Sequence, residues 1–144
     1  MNGNGDAVKR KVKEWLRHAD DDLRLARVAF KLKSAVPYKL VAYHAQQGAE
    51  KSLKAYLVYK KIDFPHTHDL VVLLKHFPIN TEWVQGLQEA ARLRIYAITT
   101  RYPGEEKVTR TEALRAVSLA ESVRKTILRE LARDGFKISS RRKV

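Results

Sequence analysis

The sequence predicts an all-α fold, an antiparallel four-helix bundle with one additional short helix. Three observations carry this. Apolar residues recur at three-or-four spacing in four long segments, no segment alternates with period two long enough to argue a strand, and only six glycines and four prolines punctuate 144 residues. No longer internal repeat suggests a solenoid instead. Chains of this size bury about 68–70% of their unfolded surface, and the 44% hydrophobic content supplies a core for one domain. We read residues 1–135 as the bundle and 136–144 as a basic C-terminal tail.

The first helix is expected from Ala7 to Lys33. Val8, Val12, Trp15, Leu16, Ala19, Leu23, Ala26 and Phe30 form one stripe. Lys9, Lys13, Arg17, Asp20, Asp21, Arg24, Arg27 and Lys31 form a solvated face on which Asp20 sits one turn from Arg24. Ser34 to Pro37 break the pattern, and Pro37 suits a helix start because its missing N–H costs nothing there.

The second helix runs to about Lys61. Its buried stripe is Val41, Ala45, Gly48, Ala49, Ser52, Leu53, Tyr56 and Leu57, with small residues in the middle that admit a neighbouring backbone. Tyr43, Gln47, Glu50, Lys51 and Lys54 form a polar strip beside it.

A loop over Ile62 to Asp69 leads to a short helix through Leu70, Val71, Leu73, Leu74 and Phe77, with Thr67 as its cap and Asp69 in its first turn. After Pro78, either Asn80 or Thr81 caps a helix starting near Glu82, with a stripe of Trp83, Leu87, Ala91, Ile95 and Ile98, which Tyr102, Pro103 and Gly104 stop. A longer loop precedes the last helix. Thr111 and Glu112 open it, Leu114, Val117, Ala120, Val123, Ile127, Leu128 and Leu131 line it, and Asp134 and Gly135 close it.

Composition excludes several classes of function. Without cysteine there is no disulfide framework, thiolate zinc site or cysteine nucleophile, and a reducing cytoplasm is the expected home. No window reaches the about 18 apolar residues of a membrane span, so no membrane association is expected. The net charge of +13 favours polyanionic partners: RNA, DNA, nucleotides or an acidic protein. Residues 1–33 contribute +4, residues 34–106 +2 and residues 107–144 +7, so the positive field is densest toward the C-terminal end.

Candidate chemistry is sparse. His66, His68 and Asp69, with His44, His76 or Glu50 from elsewhere, offer imidazole and carboxylate ligands, but capping and packing at a loop-to-helix junction is the favoured reading for His68 and Asp69. We therefore expect no metal and no cofactor. Nucleophile elbows and glycine-rich phosphate loops are absent. Phosphate binding would fall to side chains such as Lys51, Lys54, Arg94 and Arg101.

Three blocks in order carry a resemblance. Tyr43-His44-Ala45-Gln46-Gln47-Gly48-Ala49-Glu50-Lys51-Ser52-Leu53-Lys54-Ala55-Tyr56-Leu57 is followed by Thr67-His68-Asp69-Leu70 with Leu73 and Leu74, and then by Arg101-Tyr102-Pro103. Together they resemble the HEPN domain family, and Trp15, Ala19, Asp22, Leu23 and Ala26 fit it too, so the resemblance covers about Val12 to Leu131.

The resemblance implies a helical bundle, commonly dimeric, that binds nucleotide or RNA. It also implies a minimal nucleotidyltransferase as partner in a toxin–antitoxin-like pair. By motif it carries over Gln47, Glu50, Lys51, Lys54, His68, Asp69, Arg101 and Tyr102, with Arg101 on a phosphate, Lys51 and Lys54 in support and Tyr102 as a stacking surface. Other branches of the family are metal-independent RNases that use an Arg followed closely by a His. This sequence has no Arg at such a spacing; the nearest matches use lysine, as Lys13 before His18, Lys39 before His44 and Lys61 before His66 or His68, and lysine lacks the bidentate fork of Arg. Three functions follow: a non-catalytic binding module, a diverged RNase using His44 or His68, and a basic module that docks an acidic protein.

Overall fold

The computed structural model describes residues 3–78, 81–99 and 107–137. Its helices are α1 (Gly3–Ala29), α2 (Tyr38–Tyr59), α3 (Leu70–Leu74), α4 (Glu82–Gly86), a 3-10 segment (Leu87–Leu93), α5 (Arg94–Thr99) and α6 (Arg110–Arg133). No strand occurs among the described residues. The all-α bundle predicted from spacing is the fold.

The helix α2 is the central element, and every residue of its expected stripe is buried. The close approach foreseen at its small residues is made at Gly48, where an added Cβ would lie 2.7 Å from Cγ and Cδ2 of Leu23 and 3.4 Å from the Ala19 carbonyl. Along α1, Val12, Leu16, Ala19, Leu23 and Ala26 are buried as expected, while Val8, Trp15 and Phe30 are partly buried against the core. The α-helix ends at Ala29, and the turn continues to Leu32 through tighter i→i−3 bonds, short of the expected Lys33.

The outer face of α1 is solvated as expected, Asp20 alone of its named residues being half-buried. Asp20 pairs with Arg124 of α6 instead of Arg24, and Arg27 pairs with Glu121. Residue 20 opposite 124 and residue 27 opposite 121 make α1 antiparallel to α6. Tyr38 next to Arg110 at one end and Tyr59 bonded to the Asp134 carbonyl at 2.9 Å at the other make α2 and α6 parallel.

Those two parallel helices end with the same device. The Gly135 N–H bonds to the Ala132 carbonyl at 3.0 Å and the Phe136 N–H to the Leu131 carbonyl at 2.8 Å, with Gly135 at φ +97°. In α2 the pattern recurs from Lys61 to Val58 and from Ile62 to Leu57, but the left-handed position is Lys61, at φ +58°. Phe136 is buried and meets the Tyr59 ring edge-on at 5.5 Å. Ile138 and the rest of the C-terminal segment lie outside the described residues.

The helix starts differ from expectation at α3 and α6. Asp69, not Thr67, caps α3, its carboxylate accepting the Val71 N–H at 2.9 Å, while Thr67 Oγ1 accepts the Asp69 N–H at 3.0 Å. The helix α6 starts at Arg110, one residue before the expected Thr111, and its cap is Thr109, which forms a reciprocal capping box with Glu112. Thr81 stands at the α4 cap position but its hydroxyl donates back to the Pro78 carbonyl, and Asn80 lies outside the described residues.

The largest departure is the expected continuous helix after Pro78, which is divided into α4, the 3-10 segment and α5. Val84, Leu87, Ala90 and Leu93 are buried, a period of three that 3-10 winding places on one line. Leu87 of the expected stripe lies on that line and is buried, whereas Ala91 is half-buried and Ile95 is 49% exposed. On α6 the stripe holds at Val117, Ala120, Val123, Ile127 and Leu131, but Leu114 faces outward and Ala113 and Ala116 take the inner positions.

Candidate functional site

The polar strip of α2 does not face solvent. Glu50 and Lys54 are only 2% and 6% exposed, covered by Trp15 of α1 and by the loop that carries Phe64 and His68. Their spacing of one turn lets the Lys54 ammonium donate to Glu50 Oε2 at 2.9 Å. The same ammonium lies 5.3 Å from the Trp15 ring centre and 6.0 Å from that of Phe64, so aromatic faces replace part of its lost hydration.

Glu50 also ties down the loop. His68 Nδ1 is 3.0 Å from its Oε2, and the Gln46 amide donates to its Oε1 at 3.2 Å and to the His68 carbonyl at 3.1 Å. Reversing the Gln46 amide would aim its oxygen at two acceptors, so its orientation is set by its neighbours. Gln46 Oε1 is buried without a partner among the described residues.

A second cluster joins α1 to α2. Asp22 accepts from His44 Nδ1 at 2.8 Å and from the Lys51 ammonium at 2.7 Å. His44 and Lys51 are two turns apart on α2 and so share one side of it, facing α1. A carboxylate only accepts, so His44 carries its proton on Nδ1 and a neutral ring presents Nε2 as an acceptor. The side chain is 26% exposed.

These contacts redistribute the expected site. Lys51 and Lys54, expected as phosphate-facing cations, are engaged with Asp22 and Glu50, Lys51 half-buried and Lys54 buried. Gln47 is half-buried, and the adjacent Gln46, one position round the helix, makes the hydrogen bonds to Glu50 and His68. The imidazole–carboxylate set His66, His68 and Asp69 is not assembled, because His68 turns to Glu50 while Asp69 caps α3 and pairs with Arg94 at 3.1 Å. Among the described residues no group of three or more His, Asp or Glu is placed to hold a metal ion. Arg101 and Tyr102 lie outside the described residues.

Sequence reasoning missed Asp22 and Gln46 as site residues. Asp22 stood among the first-helix residues that fit the family, but with no role assigned, because it is one of three consecutive aspartates and nothing in a single helix tells which of them faces the next.

The fold and these clusters define a small helical bundle whose second helix carries the polar residues and packs them against α1 and the following loop. The HEPN domain family model matches residues 12–131, and the chain belongs to that family. It is similar to the crystal structure of TT1696 from Thermus thermophilus, at 29% identity and a TM-score of 0.72, over 84% of this chain and 98% of that one. ST0689, an archaeal HEPN homologue, shares the fold at 22% identity and a TM-score of 0.62, over 83% of this chain and 97% of that one. No curated protein matches. No helix among the described residues is long and apolar enough to cross a membrane.

Proposed function

We propose that this chain is a module that binds the phosphates of nucleotide or RNA. In this reading it is a homodimer that acts with a minimal nucleotidyltransferase in a toxin–antitoxin-like pair and has no catalysis of its own. The family membership and the net charge of +13 support the reading, and the arrangement of exposed cations carries it. The antiparallel register of α1 and α6 sets Lys9, Lys13 and Arg17 on the same end of the bundle as Lys125, Arg129 and Lys137, all exposed or half-buried. Cations at that density attract a polyanion and hold it through phosphate contacts that release counterions.

Arg101 remains the candidate for a specific phosphate contact, with Tyr102 as a stacking surface. The test is nucleotide and RNA binding by wild type and by Arg101→Ala. A folded variant with binding weaker by about tenfold or more, the loss of one charge-assisted contact, supports the assignment, and unchanged affinity removes Arg101 from the site.

A second reading, a diverged metal-independent RNase, is favoured by one observation, the half-buried His44 imidazole oriented by Asp22 through Nδ1. It requires RNA cleavage that persists in a chelator and is lost in His44→Ala.

A further inference from the structure

A cleft of about 360 Å³ lies between the 3-10 segment with α5 on one side and α6 on the other, away from both polar clusters of α2. Its size falls at the small-ligand end of binding pockets, about 300–1,000 Å³. Leu93 and Ala116 are buried in its floor, and Tyr96 and Leu119 are half-buried beside them. The rim carries Arg92, Arg115, Ser118 and Ser122 with Glu89 and Glu112.

The charges on that rim are not equivalent. Glu89 and Arg92 stand 4.0 Å apart and largely compensate each other, while Glu112 Oε1 already accepts the Thr109 N–H at 2.9 Å in the capping box. Arg115 has no ion-pair partner among the described residues, and it reaches the Tyr96 hydroxyl electrostatically. Burial, reinforced by Glu112, raises the Tyr96 phenol above its ordinary ionisation range, so the group stays a neutral hydrogen-bonding aromatic. Arg115, Ser118 and Ser122 follow one another at three and four residues along α6, which puts a guanidinium and two hydroxyls on one face of the helix.

We propose that this cleft binds a single nucleoside monophosphate unit, its base against Tyr96 and Leu119 and its phosphate on Arg115, Ser118 and Ser122. The inference rests on the phosphate-binding reading above and gives it a location built wholly from other residues. The two guanidiniums and two carboxylates of the rim balance, so the cleft suits one phosphate on Arg115 and disfavours the several charges of a triphosphate chain. The unit comes either as a free nucleotide or as part of an RNA strand.

Calorimetric titration of the full chain with AMP, adenosine, inorganic phosphate, ATP and a short single-stranded RNA tests this. We expect AMP to bind more tightly than adenosine or phosphate by about tenfold or more, and ATP no more tightly than AMP. Arg115→Ala and Leu119→Asp, with melting curves and circular dichroism to verify their folding, should each weaken AMP binding by about tenfold or more, while Lys31→Ala, at an exposed position in the turn after α1, leaves it within about twofold. Parallel weakening of RNA binding in the two cleft variants identifies an RNA strand as a source of the unit, and its absence leaves the free nucleotide. AMP binding that both folded cleft variants retain overturns the cleft and leaves the phosphate-binding reading standing. Failure of AMP and RNA alike to bind wild type overturns both.

Discussion

Glu50 shows how a single side chain acquires its role from distant segments. The sequence places it one turn before Lys54, so the pair was legible, but its surroundings come from elsewhere: His68 of the following loop meets Glu50, while Trp15, 39 positions before Lys54, and Phe64 lie against the Lys54 ammonium. Removing one partner of a buried pair leaves the other charge unpaired, at about 3–5 kcal/mol. Glu50→Ala should therefore destabilise by about that amount in urea denaturation, and Glu50→Met with Lys54→Met by clearly less. Equal loss in the single and double variants would show that the ion pair is not what the fold depends on. Gly48 is the complementary case, where missing atoms matter. A larger side chain there meets Leu23, so Gly48→Val should cost about 1–3 kcal/mol in the same measurement.

At the scale of elements, the sequence specified the existence of helices better than their winding and caps. Long stripes such as those of α1, α2 and α6 repeat often enough to be unambiguous. The segment after Pro78 is short, and its Val84, Leu87, Ala90, Leu93 spacing of three was the available sign of 3-10 winding. For α6, Thr109 and Glu112 spell a capping box that a start at Thr111 overlooks. Thr109→Ala should lower stability by about 1 kcal/mol in urea denaturation. The ends of α2 and α6 provide a matched comparison, because Lys61 occupies in one the left-handed position that Gly135 occupies in the other. Lys61→Gly should raise the unfolding free energy by up to about 1 kcal/mol, whereas Gly135→Ala should lower it by a similar amount.

For the whole molecule, charge and family were readable from composition and motif, whereas the site was not. The lysines expected as phosphate ligands are partners of Asp22 and Glu50, because helical spacing alone does not say what the next helix presents. The alkaline limit of stability follows from three groups. Burial raises Tyr56 and Tyr96 above the ordinary 10.0, and the hydrogen bond to Asp134 raises Lys60 above 10.5. Below those ordinary values folded and unfolded chains are equally protonated at these groups, so their contribution is whole. At higher pH the unfolded chain loses these protons first, and melting temperature should fall steadily above about pH 10.

The central claim is that the protein holds phosphates without breaking the strand that carries them. It is tested most directly by mixing the protein with end-labelled single-stranded RNA in EDTA at several salt concentrations and following retention and fragment length together. We expect retained, full-length RNA, with affinity falling as salt rises by a logarithmic slope of about −0.7 for each phosphate contacted. Fragments that appear with wild type and vanish with His44→Ala would contradict the claim and make the protein a metal-independent RNase.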